Sequence, residues 1–276
     1  MIPKQIFQTH KSIEFIQSQT NLNDAVNSWR KYSLLPGFPH AIYNKLMYII
    51  NLRKRNYKIA FPIKLYNIFL QAINKFKNYK NKVFKYYFFD NQMCDDFMKQ
   101  HFSGEIYDCY SKLPVAVMKA DLWRYCVIYK NGGIYADADT ICKFHPFIFT
   151  NNNCLLCLVP ENKDHLCQWV FSAPPNSPIL KTIIDLSIER IKQTTELKDE
   201  HFIHYLTGPG VFTDGIVKYL QKNNCPTFEN KKLFHNYPDN VLKVFNYDNF
   251  HKNIVTHLFT GQSKGGWCEE RDNLFT

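Results

Sequence analysis

Residues 116–140 read AVMKADLWRYCVIYKNGGIYADADT. Met118, Leu122, Cys126 and Tyr129, with Val115 just ahead of them, recur at helical spacing, and Pro114 suits a first helical turn. A helix with one buried face is therefore expected from Pro114 to about Lys130, and Asn131-Gly132-Gly133 ends it. The chain then passes directly into a short apolar run and Asp137-Ala138-Asp139, which reads as a buried strand ending at a polar rim. Asp121 and Arg124 stand three apart on the helix and share one face. In an extended chain Asp137 and Asp139 also lie on one side. Two carboxylates with nothing basic beside them repel, and a divalent cation relieves that. A salt bridge alone accounts for the first pair, and an isolated D-x-D arises often by chance.

Outward from this stretch, helices and strands alternate. PKQIFQTH reads as a short strand with apolar Ile6 and Phe7 before a Gln8-Thr9-His10 loop. VFKYYFF is an aromatic strand stopping at Asp90-Asn91, either of which can cap a helix reaching about His101. Ser177 and Pro178 suit a helix start, followed by Ile179, Ile183, Ile184, Ile188 and Ile191 at helical spacing. This order favours an α/β fold with a mainly parallel sheet. A chain of 276 residues, 45% hydrophobic, fits one domain over 1–276.

The formal charge of +10 is concentrated in one place. From Ala25 to Phe89 there are 13 Lys or Arg and no Asp or Glu, leaving 21 of the 34 basic residues against all 24 acidic ones elsewhere. Within this segment residues 31–82 form a basic insertion, expected as two helices split near Phe61-Pro62. The nine cysteines lack the dense spacing of a disulfide scaffold, and no N-x-S/T acceptor occurs. No apolar run approaches the roughly 18 residues of a membrane span, and the opening MIPKQIFQTHKS lacks the apolar core of a signal peptide. The expectation is a soluble cytoplasmic protein.

The stretch at 116–140 closely resembles the family-32 glycosyltransferases. The residues that carry the resemblance are Ala116, Lys119, Asp121, Arg124 and Tyr125 on the helix, the Gly132-Gly133-Ile134-Tyr135 turn, and Asp137 and Asp139. Three distant segments agree with it: IPKQIFQTH at the start, LTGPGVFTD at Leu206–Asp214, and THLFTGQSKGGW at Thr256–Trp267. The resemblance implies a GT-A fold, transfer from a nucleotide-sugar with retention of configuration, and Mn2+ or Mg2+. It implies Asp139 as the direct metal ligand, with His257 completing the protein ligands and Asp137 meeting the metal, the ribose or the donor sugar, and Asp121 and Arg124 beside them as catalytic residues holding donor sugar and phosphates. It places Gln8, Thr9, His10, Lys119, Tyr135, Gln168, Gly208 and Trp267 around the donor. UDP is preferred to GDP, and the acceptor is a glycan, glycolipid or protein. His10 stands where the family usually has Trp, which reduces the base-stacking surface, and Gln168 where it commonly has Asn.

Other features have plainer readings. Cys154-Leu-Leu-Cys157 has metal-ligand spacing but sits in an apolar run without a second pair, as a buried strand would. His201 and His204 lack the glutamate of a zinc-protease motif. Trp123 and Tyr125 are expected as packing residues. A non-catalytic binder of nucleic acid or anionic surfaces is the competing reading, as is a transferase that has lost activity. Because the charge lies in a separable segment and the acidic pairs in the core, nucleic acid is not expected as a partner. Lysines mixed with Tyr43, Tyr48, Tyr57, Tyr66, Phe69, Phe76 and Tyr79 suit peripheral contact with an anionic membrane. Co-sedimentation should then require anionic lipid and weaken as salt shortens the Debye length; equal binding to neutral vesicles, or none to either kind, would leave the segment a simple flap on the domain.

Overall fold

The computed structural model describes residues 1–33, 83–150, 153–160, 165–197, 201–225, 240–262 and 267–274. The two expected helices about Phe61-Pro62, and nearly all of the 31–82 insertion, lie outside the described residues. Six strands form the main sheet: β1 (Gln5–Thr9), β2 (Lys85–Phe89), β3 (Gly133–Ala136), β5 (Leu156–Leu158), β6 (Val170–Ala173) and β7 (Leu242–Val244). Their order is β2-β1-β3-β6-β5-β7, while β4 (Thr140–Cys142) and β8 (Val255–His257) make a separate ribbon. β1 is parallel to β2 and β3, β5 is parallel to β7, and only β6 runs against its neighbours. The expected α/β fold with a mainly parallel sheet is the one observed.

The helices are α1 (Ile13–Ser18), α2 (Thr20–Arg30), α3 (Asn91–His101), α4 (Glu105–Ser111), α5 (Ala116–Asn131), α6 (Phe147–Thr150) and α7 (Pro178–Gln193). They continue with α8 (Phe202–Leu206), α9 (Pro209–Lys222), α10 (Tyr247–Asn253) and α11 (Trp267–Asp272). Period-two alternation distributes them over both faces of the sheet. Phe7, Tyr135, Leu156, Leu158 and Phe171 join the apolar faces of α3, α5, α7 and α9 in one core. Ile6, Ile134, Cys157 and Val170 point the other way, against Trp29, Phe149 and Phe250. Strands buried on both faces read as nearly continuous apolar runs, as these do.

Local chemistry explains the element ends. Asp90 caps α3, accepting from the Met93 amide at 2.8 Å. Helix α5 begins at Ala116 and not at Pro114, because Val115 is still extended and its carbonyl accepts the first helical bonds. Pro178 opens α7, but the Ser177 hydroxyl donates to the Leu155 carbonyl (2.7 Å) instead of capping the helix. No disulfide joins any of the nine cysteines, and Cys154 and Cys157 are buried among apolar side chains at β5. No helix among the described residues is long and apolar enough to cross a membrane.

The α5-to-β3 connection fixes where the site lies. Gly132 (φ 67°) and Gly133 (φ 108°) both adopt backbone that side chains rarely allow, so the helix stops and β3 starts within two residues. A Cβ on Gly133 would lie 2.7 Å from the Gln5 carbonyl oxygen of the neighbouring β1. Gly133→Ala is therefore predicted to cost at least about 2 kcal/mol in urea denaturation, through combined backbone strain and overpacking; a loss under about 0.5 kcal/mol would contradict this account of the turn.

Candidate active site

β3 ends at Ala136, at the polar rim expected from the sequence, and Asp137-Ala138-Asp139 is a turn, so the extended geometry that would put both carboxylates on one side does not persist. The Thr140 amide (3.1 Å) and hydroxyl (2.6 Å) both donate to the Asp137 carbonyl, folding the chain back so that β4 leaves the sheet. Antiparallel pairing with β8 then sets Thr140 opposite His257. The turn is held from the sheet side as well. The Asp137 amide donates to the Trp169 carbonyl (2.8 Å), and the Gln8 side chain donates to the Asp137 carbonyl (3.0 Å).

His257 Nε2 lies 3.1 Å from Asp139 Oδ1 and 3.7 Å from Asp137 Oδ2. One ligand atom from each of Asp137, Asp139 and His257 falls within 4.8 Å of the others, the only such grouping of three among the described residues. The second oxygen of each aspartate is already engaged. Asp139 Oδ2 accepts from the Thr260 amide and hydroxyl, both at 2.9 Å. Asp137 Oδ1 accepts from the Tyr135 hydroxyl and faces Arg124 at 3.3 Å. One oxygen per carboxylate therefore remains turned towards the imidazole. The ring itself is fixed by stacking on Trp169 (4.9 Å, 9° between planes) and by the edge of Phe259 at 4.1 Å. Its Nδ1 is buried without a hydrogen-bond partner among the described residues. Phe259 has φ 53°, an unusual conformation for a bulky residue, and it immediately precedes the Thr260 that clasps Asp139.

Charge is balanced tightly here. Burial opposes the charged form of His257, but the two aspartates outweigh it and raise its pKa to about 9. Burial likewise opposes the charge of Asp139, and His257 with Thr260 overcomes it, lowering the pKa to about 2. These shifts are one interaction seen from both ends. The stability it lends the metal-free chain is complete below the ordinary histidine value of 6.5 and lost as pH rises through about 9. On the acid side it is lost as pH falls from 3.8 towards about 2.

A second network adjoins the first. Arg124 bridges Asp121 (2.7 Å) and Asp137 (3.3 Å) and lies over the Tyr135 ring at 4.7 Å. Asp121 also accepts from Gln168 Nε2 and the Thr207 hydroxyl, each at 3.2 Å. Burial raises the Asp121 pKa to about 7, with Arg124, Thr207 and Gln168 holding it from rising further. The Tyr125 hydroxyl faces the Gln168 side-chain oxygen and the Thr207 carbonyl (2.8 Å), and Gly208 follows directly.

The remaining expected donor residues take different places. Gln8 is fully buried, its amide spent on Asp137 and on the Tyr86 hydroxyl (2.8 Å). Thr9 contacts the Cys94 sulfur at 3.2 Å. His10 stacks on Phe15 at 5.2 Å; burial and Lys11 lower its pKa, while Asp139 and Asp137 lie near enough to oppose them. Lys119 pairs with Asp95 at 3.4 Å, at the edge of the network and not in it. Trp267 is placed against Gly261, in the turn that carries Thr260. Thr260, Thr207, Tyr86 and Trp169 were not singled out from sequence. The first two lie inside the quoted Thr256–Trp267 and Leu206–Asp214 segments, which was the available signal. Tyr86 falls within the expected VFKYYFF strand, and nothing in the sequence marks Trp169.

Over part of its length the chain is similar to known glycosyltransferases. Residues 19–155 match the glycosyltransferase sugar-binding region containing a DXD motif. The chain is 25% identical over 189 residues to an initiation-specific alpha-1,6-mannosyltransferase of Candida albicans, covering 55% of this chain and 49% of that protein. It is 30% identical over 139 residues to the Schizosaccharomyces pombe protein of the same description, covering 42% and 35%. The chain thus spans half or less of the length of these relatives. Among solved structures, the PaToxG glycosyltransferase is similar at 16% identity and a TM-score of 0.47, covering 80% of this chain and 70% of that one. The matched region, just under half of the chain, encloses Asp121, Arg124, Asp137 and Asp139, so these residues lie in a segment similar to the DXD-containing sugar-binding region of glycosyltransferases.

Proposed function

We propose that this chain transfers a hexose from a UDP- or GDP-sugar to a glycan, glycolipid or protein-linked acceptor, using a divalent cation held by Asp137, Asp139 and His257. The observation that carries the reading is the convergence of three ligand atoms from a turn and a distant strand, each aspartate having its other oxygen already tied. Two carboxylates and one imidazole suit Mn2+, or Mg2+, and leave coordination positions for a diphosphate. When bound, the cation stabilises negative charge developing on the leaving diphosphate.

The protein's own groups perform the rest. Arg124 is cationic, since the neighbouring Asp137, Tyr135 and Asp121 outweigh burial and raise its pKa, so it presents fixed positive charge between the metal ligands and Asp121. Asp121, held by Gln168 and Thr207, is positioned to orient sugar hydroxyls. Thr260 and Tyr135 aim the two aspartates. We assign no side chain as general base. The leaving phosphate takes the acceptor proton, and the product keeps the donor's anomeric configuration.

Asp139→Asn removes a charged ligand and no packing volume, so manganese-dependent turnover of a nucleotide-sugar should fall at least about 100-fold while the far-UV circular dichroism is preserved. Full turnover at low manganese would reject the site. His257→Ala should weaken manganese binding more mildly. A proton must also leave His257 Nε2 before an ion can bind there. Because that proton is held up to about pH 9, the apparent Mn2+ affinity should rise about tenfold per pH unit from 6.5 towards 9 and then level off. An affinity flat across this window would exclude His257 as a ligand.

A further inference from the structure

Cys154 and Cys157 stand three apart, a spacing that on an unbroken strand points two side chains to opposite faces. Leu156 and Leu158 of β5 pack into the core shared with α5 and α7, and Cys157 lies on the other face. Cys154 nevertheless joins Cys157 there. The cause is a bend at Leu155, pinned by the Leu155 (3.0 Å) and Leu156 (3.3 Å) amides, which both donate to the Val241 carbonyl. The bend brings together two thiols that the strand alone would hold apart.

Cys142 and Cys167 are buried in the same core, but their thiols donate to carbonyl groups, those of Phe144 (3.0 Å) and Val170 (3.8 Å). Cys154 and Cys157 instead hydrogen-bond each other. The Cys157 thiol donates to Cys154, and the amides of Cys154, Leu156 and Lys243 turn towards the same sulfur, so its pKa falls below the usual thiol range despite burial. Burial and the neighbouring sulfur move Cys157 the other way. A metal does not account for the pair, because no third ligand atom joins it among the described residues. A favoured thiolate beside a retained thiol is the arrangement of a nucleophile and its resolving partner.

We propose that Cys154 and Cys157 form a peroxide-responsive thiol–disulfide pair. The Cys154 sulfur attacks one oxygen of hydrogen peroxide, the O–O bond breaks, and the departing hydroxide takes up the proton that Cys154 gave up, leaving as water. Cys157 then attacks the sulfenic acid so formed. The S–S bond forms as the S–O bond breaks, and the hydroxyl leaves with the Cys157 proton as a second water. The two thiols lose two electrons in all, and one peroxide is reduced to two waters. Cys154 follows the exposed Asn153, and β7, which pairs with β5, is the last strand of the sheet, so a local opening at this end admits a molecule as small as peroxide. The disulfide closes in the core that also holds Trp169, on which His257 stacks, and its formation does not depend on the donor reading above.

Treatment of the reduced full chain with an equimolar amount of hydrogen peroxide, then alkylation in denaturant and tryptic mass spectrometry, tests the proposal. Trypsin releases residues 144–163 as one peptide that holds Cys154 and Cys157 and no other cysteine. This peptide should appear unalkylated and lighter by two hydrogens, at least about tenfold more abundantly than any other disulfide. Dithiothreitol should restore alkylation of both residues. Cys157→Ser should stop at a sulfenic acid on Cys154 that dimedone traps, while Cys154→Ser should leave Cys157 unoxidised. Full alkylation of residues 144–163, whether or not cysteines elsewhere oxidise, would overturn the proposal, as would dimedone on Cys157 in Cys154→Ser. The unmodified protein decides the question even where a serine variant fails to fold.

Discussion

Three carboxylates, those of Asp121, Asp137 and Asp139, are gathered in a region that water scarcely enters, and the structure around them is organised to offset their repulsion. Asp121 is 1% exposed. Arg124 answers Asp121 and Asp137 together, and His257 answers Asp137 and Asp139. Neither cation suffices alone for three acids. That is why Gln168, Thr207, Thr260 and Tyr135 each donate a hydrogen bond to one of the carboxylates. Concentrated negative charge with one oxygen left open on each of two aspartates is what a cation site requires, and it is costly to leave without a counter-charge.

The fold supplies this arrangement through a few connections. Parallel pairing of β1 with β3 puts the Gln8 amide against the Asp137 turn. The reversed strand β6 brings the segment holding Gln168 and Trp169 back to the same end, opposite Ala136. The β4–β8 ribbon then closes the site from the C-terminal side, with the left-handed backbone at Phe259 aiming Thr260 at Asp139. Strain of this kind persists only where the surrounding contacts over-determine it, and here the contacts are those of Thr260 with Asp139 and of the Phe259 ring with His257.

Much of this was readable from particular residues. The alternation of Ile6 with Phe7 and of Ile134 with Tyr135 encodes strands buried on both faces, and the isoleucines after Pro178 encode the helix that covers one of them. Asp121 and Arg124 stood out because they share one face of a helix, and Asp137 and Asp139 because two carboxylates fall two residues apart in the same short stretch. What escaped was non-local. The turn at Asp137–Asp139 depends on Thr140, whose bonds to the Asp137 carbonyl cannot be told from strand pairing in a linear sequence. The roles of Thr260 and Trp169 depend on the β4–β8 register.

The central claim is that Asp137, Asp139 and His257 together hold one divalent cation. Anomalous diffraction from crystals soaked in manganese measures this without reference to turnover. The account predicts one strong peak bounded by Asp137 Oδ2, Asp139 Oδ1 and His257 Nε2, and its disappearance in crystals of Asp139→Asn. A manganese peak on other residues, or none between these three while His257 still bridges both carboxylates, would contradict it.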